Sequence, residues 1–151
     1  MSANVPAGEP SRKIFCWYTL AAVLSLIGLA DAIYLTVEHL TGATLRCTII
    51  SGCSEVLSSP YSHVGSIPLA AIGAAAYFVV FSLAILAAFG YQIARPLLTI
   101  VVALMFLTAL WLLYLQAFVI HHFCQYCLLS AGVTTALIAV VLLSLLRKQS
   151  V

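Results

Sequence analysis

Four of the five cysteines in this chain fall into two pairs whose spacings suit thiol–disulfide chemistry. Cys124 and Cys127 stand in Phe123-Cys124-Gln125-Tyr126-Cys127, a C-x-x-C unit directly before a long apolar run. Two thiols so placed can close a small ring. At a helix start, unpaired backbone N–H groups and the positive end of the dipole favour the thiolate, which is the nucleophile in disulfide exchange. Cys127 is therefore expected in the first turn of a helix, at a depth an amphiphilic ring can reach. The second pair, Cys47 and Cys53, lies in a stretch of small polar residues that includes Ser51, Gly52, Ser54, Ser58 and Ser59. A mobile loop bearing one pair, beside a fixed C-x-x-C, suits a relay: exchange requires only a thiolate attacking a disulfide sulfur through a mixed disulfide.

Two other readings of the C-x-x-C run remain open at this level. His121 and His122 precede it, and cysteine with histidine builds tetrahedral metal sites. A purely structural disulfide would staple loop to helix. Leu128 stands where a c-type haem attachment needs histidine. The redox reading, with no metal, is the one carried forward.

The elements that must position these thiols are membrane spans. The chain of 151 residues is 64% hydrophobic and 7% charged, against roughly a quarter charged in an ordinary soluble domain. Four stretches approach the ~20 apolar residues that cross a bilayer: Ile14 to Leu35, Ile67 to Phe89, Pro96 to Phe118 and Leu128 to Leu146. They are long and continuous, rich in Leu and Ala, so helices are expected rather than the short alternating strands of a barrel. The expected fold is an all-α four-helix transmembrane bundle with a long loop between the first two spans. Its single domain covers 14–146, between a disordered tail at 1–13, where Pro6, Gly8 and Pro10 fall, and a short tail at 147–151. The first run follows Arg12 and Lys13 as a secretory signal would, but its length and the lack of a small-residue cleavage pattern mark it as a span.

Orientation follows from the basic residues, which stay in the cytoplasm near span ends. Arg12, Lys13, Arg95, Arg147 and Lys148 share one side; of the six Lys and Arg, only Arg46 is on the other. Both termini are expected in the cytoplasm and the chain in the cytoplasmic (inner) membrane. The loops Thr36–Ser66 and Val119–Cys127, with the two cysteine pairs, then face the periplasm or exterior. That agrees with the oxidising compartments in which disulfides persist.

Taken together, Cys47, the run Cys53-Ser54-Glu55-Val56-Leu57-Ser58-Ser59, Ile67-Pro68 leading to Gly73 and Tyr77, and Cys124-Gln125-Tyr126-Cys127 before the last span resemble the vitamin K epoxide reductase family, in its compact prokaryotic form without a fused thioredoxin-like domain. The resemblance implies a four-helix bundle around a quinone (ubiquinone or menaquinone) near the outer face, with the long loop folded over it. It implies a thiol–disulfide oxidoreductase that reoxidises a thioredoxin-fold, DsbA-like partner and supports disulfide formation. Cys47 would take electrons from the partner, Cys53 would attack Cys124, and Cys127 would face the quinone as donor. Ser59, six residues after Cys53 as in the family, would be a polar quinone contact. Animal members carry a tyrosine four residues after the second C-x-x-C cysteine, where this chain has Ala131, so ordinary quinone rather than vitamin K epoxide is the expected acceptor.

Asp31, an acid near the outer end of the first span, is costly to bury and is a further expected quinone contact. His39 and His63 are loop histidines able to donate protons, and Tyr77 suits a core position. Cys16 is expected to pack as a small apolar residue. Trp17, Tyr34, Trp111 and Tyr114 suit headgroup anchors, while Pro68 and Pro96 suit helix starts. Two other functions compete with this one. The other four-span, quinone-linked disulfide oxidase carries its C-x-x-C in the first outer loop, the reverse of the order here. A disulfide-stapled scaffold or transporter would show broken helices or mid-membrane charges, and only Asp31 approaches that. Nothing points to nucleic acid; the partners are the protein oxidant, the quinone and the bilayer.

Overall fold

A computed structural model describes residues 12–42, 47–49 and 52–149. Arg46, Ser51 and most of the expected N-terminal tail lie outside the described residues. The chain forms helices α1 (Arg12–Thr41), α2 (Cys53–Ser58), α3 (Leu69–Ala88), α4 (Ala94–Leu115) and α5 (Gln125–Gln149). A 3-10 turn at Pro60–Ser62 and an antiparallel pair, β1 (His63–Val64) with β2 (Ile67–Pro68), lie between α2 and α3. Four of the helices, α1, α3, α4 with its extension to Ile120, and α5, are long and apolar enough to cross a membrane.

The bundle is held by close approach of small side chains, because apolar packing has no advantage over lipid and backbones gain most by meeting. On α1 the buried positions Ala21, Ala22, Ser25, Gly28 and Ala32 form one face at helical spacing. Facing them in the same core are Tyr77, Val80, Ala84, Ala87 and Ala88 of α3, with Leu137 and Val141 of α5. Gly28 is required there: any Cβ would enter the Tyr77 ring. The outer surfaces of α3 and α4 expose Phe78, Leu104, Leu107 and Trp111, as lipid-facing positions should.

Alternating helix direction puts the start of α1, the start of α4 and the end of α5 at one end of the bundle. Arg95 lies over the Tyr18 ring at 5.8 Å and Arg147 over Trp17 at 5.2 Å. The cysteine pairs occupy the opposite end.

Element boundaries differ from the expectations in ways the backbone explains. Helix α1 runs past Leu35 to Thr41, and the Thr36 and Thr41 hydroxyls bond back to carbonyls four residues earlier. Arg12 and Lys13, assigned to the tail, open this helix. Ile67 does not begin the second span: it precedes Pro68, a position pushed to extended backbone, and pairs with Val64. Helix α3 starts at Leu69. The third span ends in a π turn, Gln116–Ile120, closed by His121 in the left-handed region at φ 57°. The fourth begins three residues before the expected Leu128. Cys16 does not pack into the core. It is exposed on α1, since that helix buries its Ala and Gly face and turns Cys16 outward.

Candidate functional site

The long loop is folded rather than open. In α2 the residues Cys53 and Val56 point inward and join Leu35 and Cys124 in one buried cluster, with Cys47, Ile120, Tyr126 and Cys127 packed around it. Cys47 and Cys53 are joined in a disulfide, with Cα atoms 6.1 Å apart. Cys124 and Cys127 are free thiols, Cys124 fully buried and Cys127 partly so. All four expected cysteines therefore meet in one place.

Two contacts bring the loop pair onto the C-x-x-C. Gly52 holds φ 141°, where only glycine is at ease, and a Cβ there would stand 3.0 Å from the Phe123 carbonyl oxygen and 3.2 Å from His122 Cβ. Gln125, between the two cysteines, accepts the Ile49 N–H on Oε1 at 3.1 Å, and its Nε2 lies 3.4 Å from Thr48 Oγ1. The segment after Cys47 is thus tied to the start of α5.

Cys124 is the N-cap of α5: its carbonyl accepts the Leu128 N–H at 3.0 Å. Its own N–H donates to Gln116 Oε1 at 3.1 Å. A hydrogen bond from the Cys127 thiol, assisted by backbone N–H groups of Cys127 and Tyr126 at the helix start, lowers the Cys124 thiol to about 7, against the opposing effect of burial. The reduced pair is therefore primed, with charge favoured on Cys124 while Cys127 holds the proton.

Beside the cluster lies a cavity of about 150 Å³; an apolar cavity of such volume can hold a benzene-sized ring. Its walls come from all four spans and the loop. They are apolar apart from a few groups, among them Asp31, His39, Ser59, Gln116 and Cys127. Asp31 and His39 share one face of α1, and the His39 and His63 rings are 6.3 Å apart. Asp31 Oδ2 is buried with no hydrogen-bond partner among the described residues, an arrangement that costs free energy unless something satisfies it. Ser59 borders the cavity, but its hydroxyl donates to the Val56 carbonyl at 2.8 Å. It must rotate before it can donate elsewhere. Ala131 is also in the wall, so the larger side chain of the animal proteins would project toward this space. Tyr77 closes the inner side, its hydroxyl 2.8 Å from Ser130 Oγ and 3.0 Å from Thr134 Oγ1. An apolar slot with few polar groups and a thiol in its wall suits a small, largely apolar ligand.

Among the described residues no group of three or more His, Cys, Asp or Glu side chains is placed to hold a metal ion. Sequence reasoning missed Gln116, Gln125 and Gly52. Gln116 had a visible signal, a lone carboxamide in an apolar span eight residues before the C-x-x-C. Gln125 and Gly52 had none, because their partners lie far away in the sequence.

A four-span bundle with two cysteine pairs gathered at one end of a small apolar cavity defines a membrane thiol–disulfide protein. Residues 19–142 match the vitamin K epoxide reductase family, and the chain belongs to that family. It is accordingly a thiol oxidoreductase of a family that reduces quinones.

Proposed function

We propose that this enzyme reoxidises an extracytoplasmic thioredoxin-fold partner, using Cys47 and Cys53 to receive its electrons and Cys124 and Cys127 to deliver them to a quinone in the adjoining cavity. The observation that carries this reading is the single buried cluster holding Cys53 and Cys124, with Cys47 and Cys127 against it and Cys127 also in the cavity wall. The partner's thiolate attacks Cys47, releasing Cys53. Cys53 attacks the Cys124 sulfur of an oxidised C-x-x-C, and Cys127 leaves as a thiolate facing the cavity. The partner's second thiol then closes its own disulfide and releases Cys47, and Cys47 attacks Cys53 to re-form the loop disulfide and free Cys124. The bound quinone supplies a two-electron acceptor. As Cys124 and Cys127 re-form their disulfide, two electrons and two protons leave the pair. Asp31 and Ser59 offer the polar contacts that orient a ring against Cys127.

A quinone acceptor suits the energetics. A thioredoxin-fold oxidant near about −120 mV cannot be recharged by a glutathione pool near about −200 mV, because each ~30 mV is already ~1.4 kcal/mol. Ubiquinone and menaquinone both serve this scheme. Vitamin K epoxide is not proposed as substrate.

Anaerobic mixing of the purified protein with a reduced thioredoxin-fold donor and a quinone tests the assignment. One quinone should disappear per donor disulfide formed; donor oxidation without quinone loss would reject it. We also propose that the cysteine end faces outward and the Arg95–Arg147 end faces the cytoplasm. A membrane-impermeant thiol reagent added outside intact cells should then label Cys47 or Cys53 after mild reduction and never Cys16. Labelling of Cys16 alone would reverse the orientation.

A further inference from the structure

Gln116 is 2% exposed, inside the π turn that ends the third span. A π turn inserts one residue into a helix and often marks a functional position. Here it carries the Gln116 side chain across to the start of α5. Its Oε1 is committed to the Cys124 N–H at 3.1 Å, three residues before Cys127, which shares the cavity wall with Gln116. With the oxygen engaged, the NH₂ is the group left to face sulfur. Gln116 also borders the cavity. One buried side chain thus holds Cys124 and borders the same space as Cys127.

The chemistry gives this contact a task. In the reduced pair the Cys127 thiol donates a hydrogen bond to Cys124, yet Cys127 is the sulfur in the cavity wall. To react there it must carry the charge, and a buried anion needs a donor. We propose that Gln116 is a catalytic residue of the thiol-to-quinone step, its Oε1 fixing Cys124 while its NH₂ holds negative charge on the Cys127 sulfur. This rests on the function proposed above. The step balances: a dithiol and a quinone give a disulfide and a quinol, with two electrons and two protons transferred and the Cys124–Cys127 S–S bond formed. Gln116 is neutral and exchanges no proton. The titratable groups facing the same sulfur or cavity are Cys124 and Asp31, with His39, Tyr61 and Tyr77 in the cavity wall. Asp31 and Cys127 line the same cavity, and Gln116 is an uncharged donor between α4 and α5 that borders it.

The test uses the full chain with Cys124→Ala and Cys16→Ser, and the loop disulfide kept oxidised, so that Cys127 is the free thiol. Two readouts are followed against pH: alkylation of Cys127 by a small uncharged haloacetamide, which needs no quinone, and a charge-transfer absorption on adding ubiquinone. Gln116→Leu removes the donor. Gln116→Glu keeps the shape and the acceptor for the residue 124 N–H but places a carboxyl against the sulfur. Both should move the alkylation midpoint upward by about one pH unit or more, a tenfold or greater loss of thiolate at a fixed pH below the midpoint. Asp31→Asn should move it downward. Midpoints for the Leu and Glu variants unchanged from the parent would overturn the proposal. If alkylation shifts as expected but no variant shows the band, the role of Gln116 toward Cys127 stands and the quinone assignment falls.

Discussion

The two cysteine pairs are held by opposite kinds of structure. Cys47 and Cys53 sit in a segment that meets the bundle through a six-residue helix, one glycine contact and one glutamine tether. Cys124 and Cys127 sit at the start of a 25-residue span, with backbone and side chains bonded to α4 and to each other. The first pair is held by loop contacts; the second is built into the bundle. A relay needs this asymmetry, because one pair must accept a large protein and the other must hold a thiol against a small cavity.

The sharpest way to break the comparison is to delete one sulfur from each pair. Cys127→Ala should abolish quinone reduction with either a protein donor or a small dithiol, since among the described residues Cys127 carries the sulfur in the cavity wall. Cys47→Ala should abolish only the protein-driven reaction and leave part of the small-dithiol rate, because the inner pair is intact. Quinone loss with the two donors reads both. Equal loss of both activities in Cys47→Ala would mean that the loop pair does not act as the external acceptor.

A pH titration sharpens the contrast, because the loop pair in its oxidised form does not titrate and the inner pair does. With Cys16→Ser and the loop disulfide intact, thiolate absorption should rise with a midpoint near the value of about 7 given to Cys124 by the Cys127 thiol. Below that midpoint the thiolate fraction falls about tenfold per pH unit. The sign for stability follows: a thiol lowered in the folded state contributes fully above its ordinary range, and the contribution is lost as pH falls through about 7. Cys127→Ala removes the main cause, so the Cys124 midpoint should rise. A midpoint that stayed near 7 would assign the effect to the helix start alone.

Gly52 tests how closely the regions must meet. An alanine there meets both a backbone conformation that costs ~1–3 kcal/mol and the Phe123 carbonyl oxygen at 3.0 Å. Transfer from a reduced loop pair to an oxidised C-x-x-C should slow about tenfold or more, as read by acid quench and mass counting of trapped thiols. Direct reduction of the inner pair by a small dithiol should change little. An unaltered transfer rate would show that the two pairs exchange without this contact.

Local chemistry made much of this legible in the sequence. Span length, basic-residue placement and C-x-x-C spacing are properties of short stretches, and they led to the four-helix bundle and the gathering of four cysteines. Ile67 and the end of α1 were misplaced because hydropathy marks where lipid could be, not where hydrogen bonding stops. The short helix α2 has no signal of its own, because polar residues surround its inward pair Cys53 and Val56, three residues apart. Gln125 and Gly52 act on groups more than 70 residues away, contacts that no window along the chain contains.

The smallest effect expected belongs to Gln125, and it asks whether the loop pair is guided or merely adjacent. Its side chain is half-buried and ties the loop to the start of α5, taking the Ile49 N–H at 3.1 Å and approaching Thr48 Oγ1 at 3.4 Å. Only the first has the geometry of a good hydrogen bond, and exposed bonds of that kind contribute at the low end of ~0.5–1.5 kcal/mol. Gln125→Ala should therefore slow transfer from the loop pair to the C-x-x-C about two- to fivefold. The tether touches neither the cavity nor either sulfur, so quinone reduction from a pre-reduced inner pair should keep its rate. Gln125→Glu supplies a useful contrast, because a carboxylate still accepts the Ile49 N–H but cannot donate to Thr48, and it should restore most of the lost rate. If alanine and glutamate were equally slow, the Thr48 contact would be the one that matters; if neither slowed transfer, the loop pair would be positioned by the buried contacts of α2 alone.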